Sequence, residues 1–470
     1  MENINLLLFL LFFIFCANED DTDKKYLVFN FRTNINLEEV NDENYMQKKL
    51  DQKIYIDINI GEPPQTIPMT LKTWQYPTYI VSEEVPDNIK IKYDTKKSKT
   101  YIKEEDILVK DLFLCDFTRG YFSTDIFDLN PPLKNFKFML ATMNTVTSKN
   151  ISGEIGLCKF DPGKEYNYNY PHKTQFIQQL LDNKLIDKKI FGFVYDTEYE
   201  GKIIFGDYSN YIKTNYKENE VDEFILDDNI HNNDYKRWVL KFELNCHSGK
   251  DNTIIYAEEE TFGFFYIEYG LMIGSTTFRN NFARDYFNNK KCKNTTVQGS
   301  FSFTEYYCTD ESQFEDFPNI AFIEEGKYQF SFTKDELFIK KGDKYIFQIV
   351  FELFTTEGVD YWKIGQPLFR KYAIFLKEEE KNSYKIAYYL NQKFNNDDEE
   401  NGSNSLKTQT IVIIVLSIIL GLLIIAIFIY FKYFYTKTRK KRVQELDEQD
   451  FEYTPKEEPK DQLLADDSDD

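Results

Sequence analysis

The chain has 470 residues with 57 Lys plus Arg against 78 Asp plus Glu, a net charge of −21. That acidity repels phosphate backbones and sets nucleic-acid binding aside. With 42% hydrophobic and 17% aromatic residues, including 34 Tyr and 43 Phe, it carries ample material for a core and is no disordered polymer. A mean hydropathy of −0.52 excludes a polytopic membrane protein and leaves room for a single anchor. Three His and six Cys without a CxxC pair give no zinc pattern, and no metal or cofactor is expected.

The N-terminal run Leu6 to Phe15 holds ten apolar residues and is followed by Cys16 and Ala17. It is too short to span a bilayer and ends on a small residue, so residues 1–17 read as a secretory signal peptide, although the segment before the run lacks Lys and Arg. Residues 18–50 form a short acidic N-terminal extension that donates a first strand, Tyr26 to Phe31. Near the other end, 411–431 are 21 residues without a charge. A helix of that length spans about 30 Å, the thickness of a hydrocarbon core. Lys432, Lys437, Arg439, Lys440, Lys441 and Arg442 follow it, against Lys407 before it. The positive-inside rule then predicts a type I membrane protein of the secretory pathway or cell surface. Its N-terminal part would be lumenal or extracellular, and the tail 432–470 cytosolic. Residues 391–410 read as a polar stalk, and Leu463-Leu464 in the tail is a weak sorting signal beside the plainer reading of a disordered tail. Sequons at Asn150, Asn294 and Asn401 mark candidate glycosylation sites.

Between these ends the pattern is all-β. Dense or alternating apolar runs such as Tyr26 to Phe31, Ile54 to Ile60, Lys202 to Phe205 and Tyr372 to Leu376 are separated by Gly, Asn and Asp. One helix is predicted over Thr174 to Leu185, its face formed by Phe176, Ile177, Leu180 and Leu181, with Thr174 as cap. His172, His231 and His247 are expected in exposed loops, and Trp238 and Trp362 in the core.

Several stretches lie in a familiar order: Tyr55 to Gln65 (YIDINIGEPPQ), Ile80-Val81-Ser82, Tyr93 to Tyr101 (YDTKKSKTY), Gly153 to Leu157 (GEIGL), Phe191 to Tyr195, Gly201 to Gly206 (GKIIFG), Phe317 to Phe322 (FPNIAF) and Tyr361 to Phe375 (YWKIGQPLFRKYAIF). Together they resemble the pepsin-like aspartic proteases over roughly residues 50 to 390. The resemblance implies a bilobal all-β fold with an N-terminal lobe over 51–212 and a C-terminal lobe over 213–390. Each lobe would offer a loop carrying Asp-Thr/Ser-Gly to a central cleft that binds an extended peptide. The two aspartates share a proton because close carboxylates cannot both ionise, and one of them activates water. The resemblance also implies a C-terminal-lobe disulfide between Cys292 and Cys308.

The catalytic tripeptides are missing. Counted from Gly61, the first position falls on Lys72-Thr73-Trp74 and the second on Glu268-Tyr269-Gly270, and the chain contains neither Asp-Thr-Gly nor Asp-Ser-Gly. A cation at Lys72 would hold Glu268 ionised, as an ion pair in place of the acid pair. The flap motif is absent around Leu112 to Gly120, where Phe113 is nearest to the usual tyrosine. The extension at 18–50 is acidic, unlike the basic propeptides of the family's zymogens. The expectation is a catalytically inactive relative that binds a polypeptide or partner protein. An active endopeptidase with an altered dyad is the runner-up, and a structural or adhesive surface protein the third reading.

Overall fold

The computed structural model describes residues 26–35, 45–74, 77–85, 89, 91–108, 117–144, 151–158, 174–215, 222–225, 238–298, 302–324, 327–353, 360–379 and 384–390. All fall in one compact unit that ends at Asn395. The signal, stalk, membrane-span and tail expectations lie outside the described residues, as do Asn150, Asn401 and Phe113. Among the described residues no helix is long and apolar enough to cross a membrane.

The chain opens with β1 (Tyr26–Thr33) and a short helix α1 (Tyr45–Leu50), then β2 (Ile54–Ile60), β3 (Gln65–Lys72) and β4 (Tyr79–Val81). β5 (Ile102–Leu108), β6 (Phe117–Phe127), β7 (Leu133–Asn144) and β8 (Gly153–Gly156) follow, then α2 (Phe176–Asp182), β9 (Lys189–Tyr195) and β10 (Glu200–Gly206). In β2, Ile54, Ile56, Ile58 and Ile60 point into the core while Asp57 is exposed, the two-residue period of a half-buried strand. Gly61 turns the chain into β3 at φ +92°, where a Cβ would strike Ser98, so a glycine is required there.

The second half supplies β11 (Asp222–Ile225), β12 (Val239–His247), β13 (Ile254–Phe265), β14 (Met272–Gly274), β15 (Lys293–Gln298), β16 (Ser302–Cys308), β17 (Asn319–Glu324) and β18 (Lys327–Phe332). It ends with β19 (Phe338–Lys341), β20 (Lys344–Phe347), β21 (Ile349–Glu352), β22 (Trp362–Ile364), β23 (Tyr372–Glu378) and β24 (Tyr384–Leu390). Two sheets result: one of 13 strands in the order β11-β24-β23-β9-β10-β1-β2-β3-β8-β4-β7-β6-β5, and one of 11 strands, with β12, β13, β22, β14 and β21 in its middle. The mostly β architecture predicted from the sequence is present. The division at 212/213 does not separate the sheets, because β11, β23 and β24 complete the larger sheet by pairing against β9.

Both halves share a buried aromatic core. Phe193 meets Phe369 at 5.5 Å, Phe369 meets Phe265 at 5.8 Å, and the Trp238 indole N–H donates to the Leu157 carbonyl at 2.8 Å. Trp238 and Trp362 are buried as expected. The predicted helix is shorter, and Gln175 rather than Thr174 holds its cap position without a side-chain hydrogen bond. His247 is a further correction: it ends β12 and is buried, not exposed in a loop.

Candidate functional site

β3 carries Lys72 to the junction of the lobes, held in register by the parallel strand β8: Thr70 pairs with Glu154, Leu71 with Ile155 and Lys72 with Gly156. The same β8 pairs antiparallel with β4, setting Glu154 opposite Tyr79. The second lobe repeats this frame. β13 runs parallel to β22 with Gly263 against Trp362, Phe264 against Lys363 and Phe265 against Ile364, so Tyr266 comes level with Gly365. β14 crosses β22 antiparallel, with Ile273 opposite Lys363.

These ladders fix which residues correspond. Gly365 stands where Gly156 stands, Lys363 where Glu154 stands and Ile273 where Tyr79 stands. Seven residues separate Lys72 from Tyr79, and seven separate Tyr266 from Ile273. The second tripeptide position is therefore Tyr266-Ile267-Glu268. The sequence expectation of Glu268-Tyr269-Gly270 was two residues too far along, drawn there by matching Gly270 to the glycine that closes the motif. Glu268 corresponds to Trp74, and the two central positions hold Lys72 and Tyr266.

Gly270 serves a different purpose. A Cβ there would come within 2.1 Å of the Lys49 carbonyl of α1, so its lack of a side chain lets the N-terminal helix approach. Tyr269 accepts a hydrogen bond from the Gln366 backbone N–H at 2.8 Å and packs its ring 5.5 Å from Tyr266.

Lys72 makes its ion pair with Glu154, Nζ to Oε1 at 2.5 Å, with both side chains nearly excluded from water. This corrects the expected pair between Lys72 and Glu268. The cation is neutralised within its own lobe by a residue of the strand that sets its register. Nζ also lies 5.2 Å from the centre of the Trp74 ring.

The two loops are joined directly. Thr73 donates its hydroxyl to the Phe265 carbonyl, the residue before Tyr266. The reciprocal position is Ile267, which has no hydroxyl to return the bond. Trp74 reaches across to Tyr266 at 6.5 Å and joins a cluster with Val239, Phe262, Phe264, Tyr269 and Tyr361. Lys363, paired with Glu352, lies 5.8 Å from the Tyr266 ring and 5.6 Å from that of Tyr361.

Glu268 is 4% exposed, and neither carboxylate oxygen has a hydrogen-bond partner. Burial pushes its pKa up to about 7, against the smaller opposing pull of its own backbone N–H, of Lys53 and Lys72, and of Trp74. Lys53 donates to the Glu268 main-chain carbonyl at 3.2 Å, and burial lowers its own pKa.

Chemically, neither central position can take up and return a proton as a carboxylate pair does. Lys72 is cationic and held by Glu154, and Tyr266 is a buried phenol. Among the described residues no group of three or more His, Cys, Asp or Glu is placed to hold a metal ion. Cys292 and Cys308 are joined, with Cα atoms 4.4 Å apart, while Cys158 is buried and Cys246 is a free, buried thiol. Asn294 lies exposed on β15, with Thr296 of its sequon exposed beside it.

Tyr266 and Glu154 were missed by sequence reasoning. The signal that finds Tyr266 is its seven-position offset from Ile273 in β14, the same as that of Lys72 from Tyr79 in β4. Glu154 is marked by a charge inside an otherwise apolar turn motif, GEIGL.

Among curated proteins, a search found no match to this chain. The family described as "Eukaryotic aspartyl protease" matches residues 53–387, which takes in both ladders and both loops. The chain belongs to the eukaryotic aspartyl protease family.

Proposed function

We propose that this protein is a catalytically silent member of its family. In this reading a single helix over 411–431 anchors it with the protease-like part on the lumenal or outer face, where the space between the lobes binds an extended polypeptide. The observation that carries the loss of hydrolysis is the Lys72–Glu154 pair at one central position, with Tyr266 at the other. Activating water for peptide cleavage needs one ionised and one protonated acid at hydrogen-bond reach of the same water. Lys72 cannot serve as the ionised member, and a phenol is a poor base at acid pH. Half-buried aromatic rings between the loops suit the side chains of a bound strand.

The test incubates the full-length chain with denatured protein between about pH 3 and pH 7, the range over which acid pairs of this class work. Lys72→Ala and Glu268→Gln variants run beside it. No turnover is expected from any of the three, and retention of extended peptides from an immobilised array is expected from the unmodified chain. Turnover that vanishes in Glu268→Gln would establish instead an enzyme working from an altered acid. Absence of both turnover and peptide retention would favour a structural or adhesive surface protein.

A further inference from the structure

Glu268 has no place in a silent site, yet it is built in with care. It sits in the turn between β13 and β14, on the second-lobe loop, and faces groups from three other segments. Lys53 approaches from the chain just before β2, Lys72 from the end of β3, and Trp74 from the first-lobe loop. The charges behind these are Glu154 on β8, which is bonded to Lys72, and Asp51, which acts on Lys53. Lys49 of α1 points away, its ammonium donating to Gln348 and to Tyr45.

The carboxylate thus lies where the two loops close on each other, with neither oxygen in a well-formed hydrogen bond and with the Trp74 indole and its own backbone N–H as lesser polar neighbours. The cations nearby offset this only in part: Lys53 and Lys72 pull the carboxyl toward ionisation, less strongly than burial pushes it the other way, while Lys72 pairs with Glu154 and Lys53 donates to the Glu268 main-chain carbonyl. An ionised carboxylate left in such a place is costly, whereas a neutral carboxyl is tolerated.

We propose that Glu268 is a proton-operated catch between the lobes: neutral, it lets Trp74 and the turn from Tyr266 to Tyr269 close over it, and ionised, it loosens that contact. The shift of its titration toward neutrality agrees with this and sets where the change falls. The sign follows from burial. The folded pKa is raised above the unfolded value, so the closed junction gains stability that is complete below the unfolded pKa and lost as pH rises through the folded one. The inference goes beyond the proposed silence of the site and holds whether or not a peptide binds.

Fluorescence of the full-length chain between about pH 5 and pH 9 tests it, because the window brackets the titration. Trp238 and Trp362 are common to the unmodified chain and to Trp74→Phe, so the difference between the two reports Trp74. The expected difference signal changes with a midpoint near 7, and Glu268→Gln abolishes the change. Lys53→Met keeps the carboxyl and removes a cation, so it must move the midpoint to higher pH, a displacement that a merely structural role would not give. Hydrogen exchange over residues 262–274 at about pH 8 should be several-fold faster in the unmodified chain than in Glu268→Gln, with the two alike at about pH 5. A change that survives in Glu268→Gln, an unmoved midpoint in Lys53→Met, or exchange alike at both pH values would overturn the proposal.

Discussion

The two loops share one backbone frame and fill it with different chemistry. In the first lobe, the central position holds a cation, and the strand beside it supplies the matching anion, Glu154. In the second lobe, the central position holds Tyr266, and the residue at the place of Glu154 is Lys363, whose ammonium lies near the Tyr266 and Tyr361 rings and pairs with Glu352. The ladders of β3 with β8 and of β13 with β22 are main-chain structures, indifferent to what the side chains do. In the silent site proposed above, each lobe needs only to satisfy whatever it buries. The first does so by charge pairing and the second by aromatic packing.

The comparison breaks most readily at Lys72. Lys72→Met leaves Glu154 buried without its cation and should cost about 3–5 kcal/mol in denaturant unfolding. Lys72→Met combined with Glu154→Leu should recover most of that loss, since well-packed apolar replacements of a buried pair are often neutral. If the single and double variants are equally unstable, the pair is not what holds the first loop.

The next effect belongs to the second lobe and depends on pH. Glu268 has a folded pKa near 7 against an ordinary glutamate value of 4.5. At pH 8 its ionised form therefore works against the fold, and Glu268→Gln should stabilise the protein by up to about 3 kcal/mol. Below the unfolded pKa the two proteins should unfold alike. Chemical denaturation at both pH values measures the difference, and a constant gap would deny the linkage.

The smallest expected effect lies between the loops. Thr73→Val removes the hydroxyl that bonds the Phe265 carbonyl and should cost about 1 kcal/mol, with Thr73→Ser restoring most of it. Ile267→Thr, at the reciprocal position, should sharpen the contrast: the added hydroxyl helps only where it finds an acceptor across the junction, and otherwise it is an unpaired buried group.

The strands were the most legible part of the chain. The run Ile54 to Ile60 is predicted and found with identical bounds, because its isoleucines alternate with polar residues. The motifs also led to Lys72 as the first central position, since Gly61 and the β2–β3 hairpin set the count to it. The second loop was less legible. The stretch from Phe264 to Gly274 is apolar or aromatic nearly throughout, and its one conspicuous Tyr-Gly suggested the wrong register. Only the pairing of β13 with β22 supplies the right one. The partner of Lys72 was hidden for another reason: Glu154 lies 82 positions away in the chain, and the parallel pairing that joins them leaves no local pattern.

The placement of β1 has a practical consequence for anyone expressing this protein. The family match starts at residue 53, but β1 lies between β10 and β2 in the interior of the larger sheet. A recombinant fragment trimmed to the matched boundary would lose an inner strand and α1 together, leaving two unpaired strand edges open to self-association. Truncations meant to yield soluble material should retain everything from Tyr26 onward.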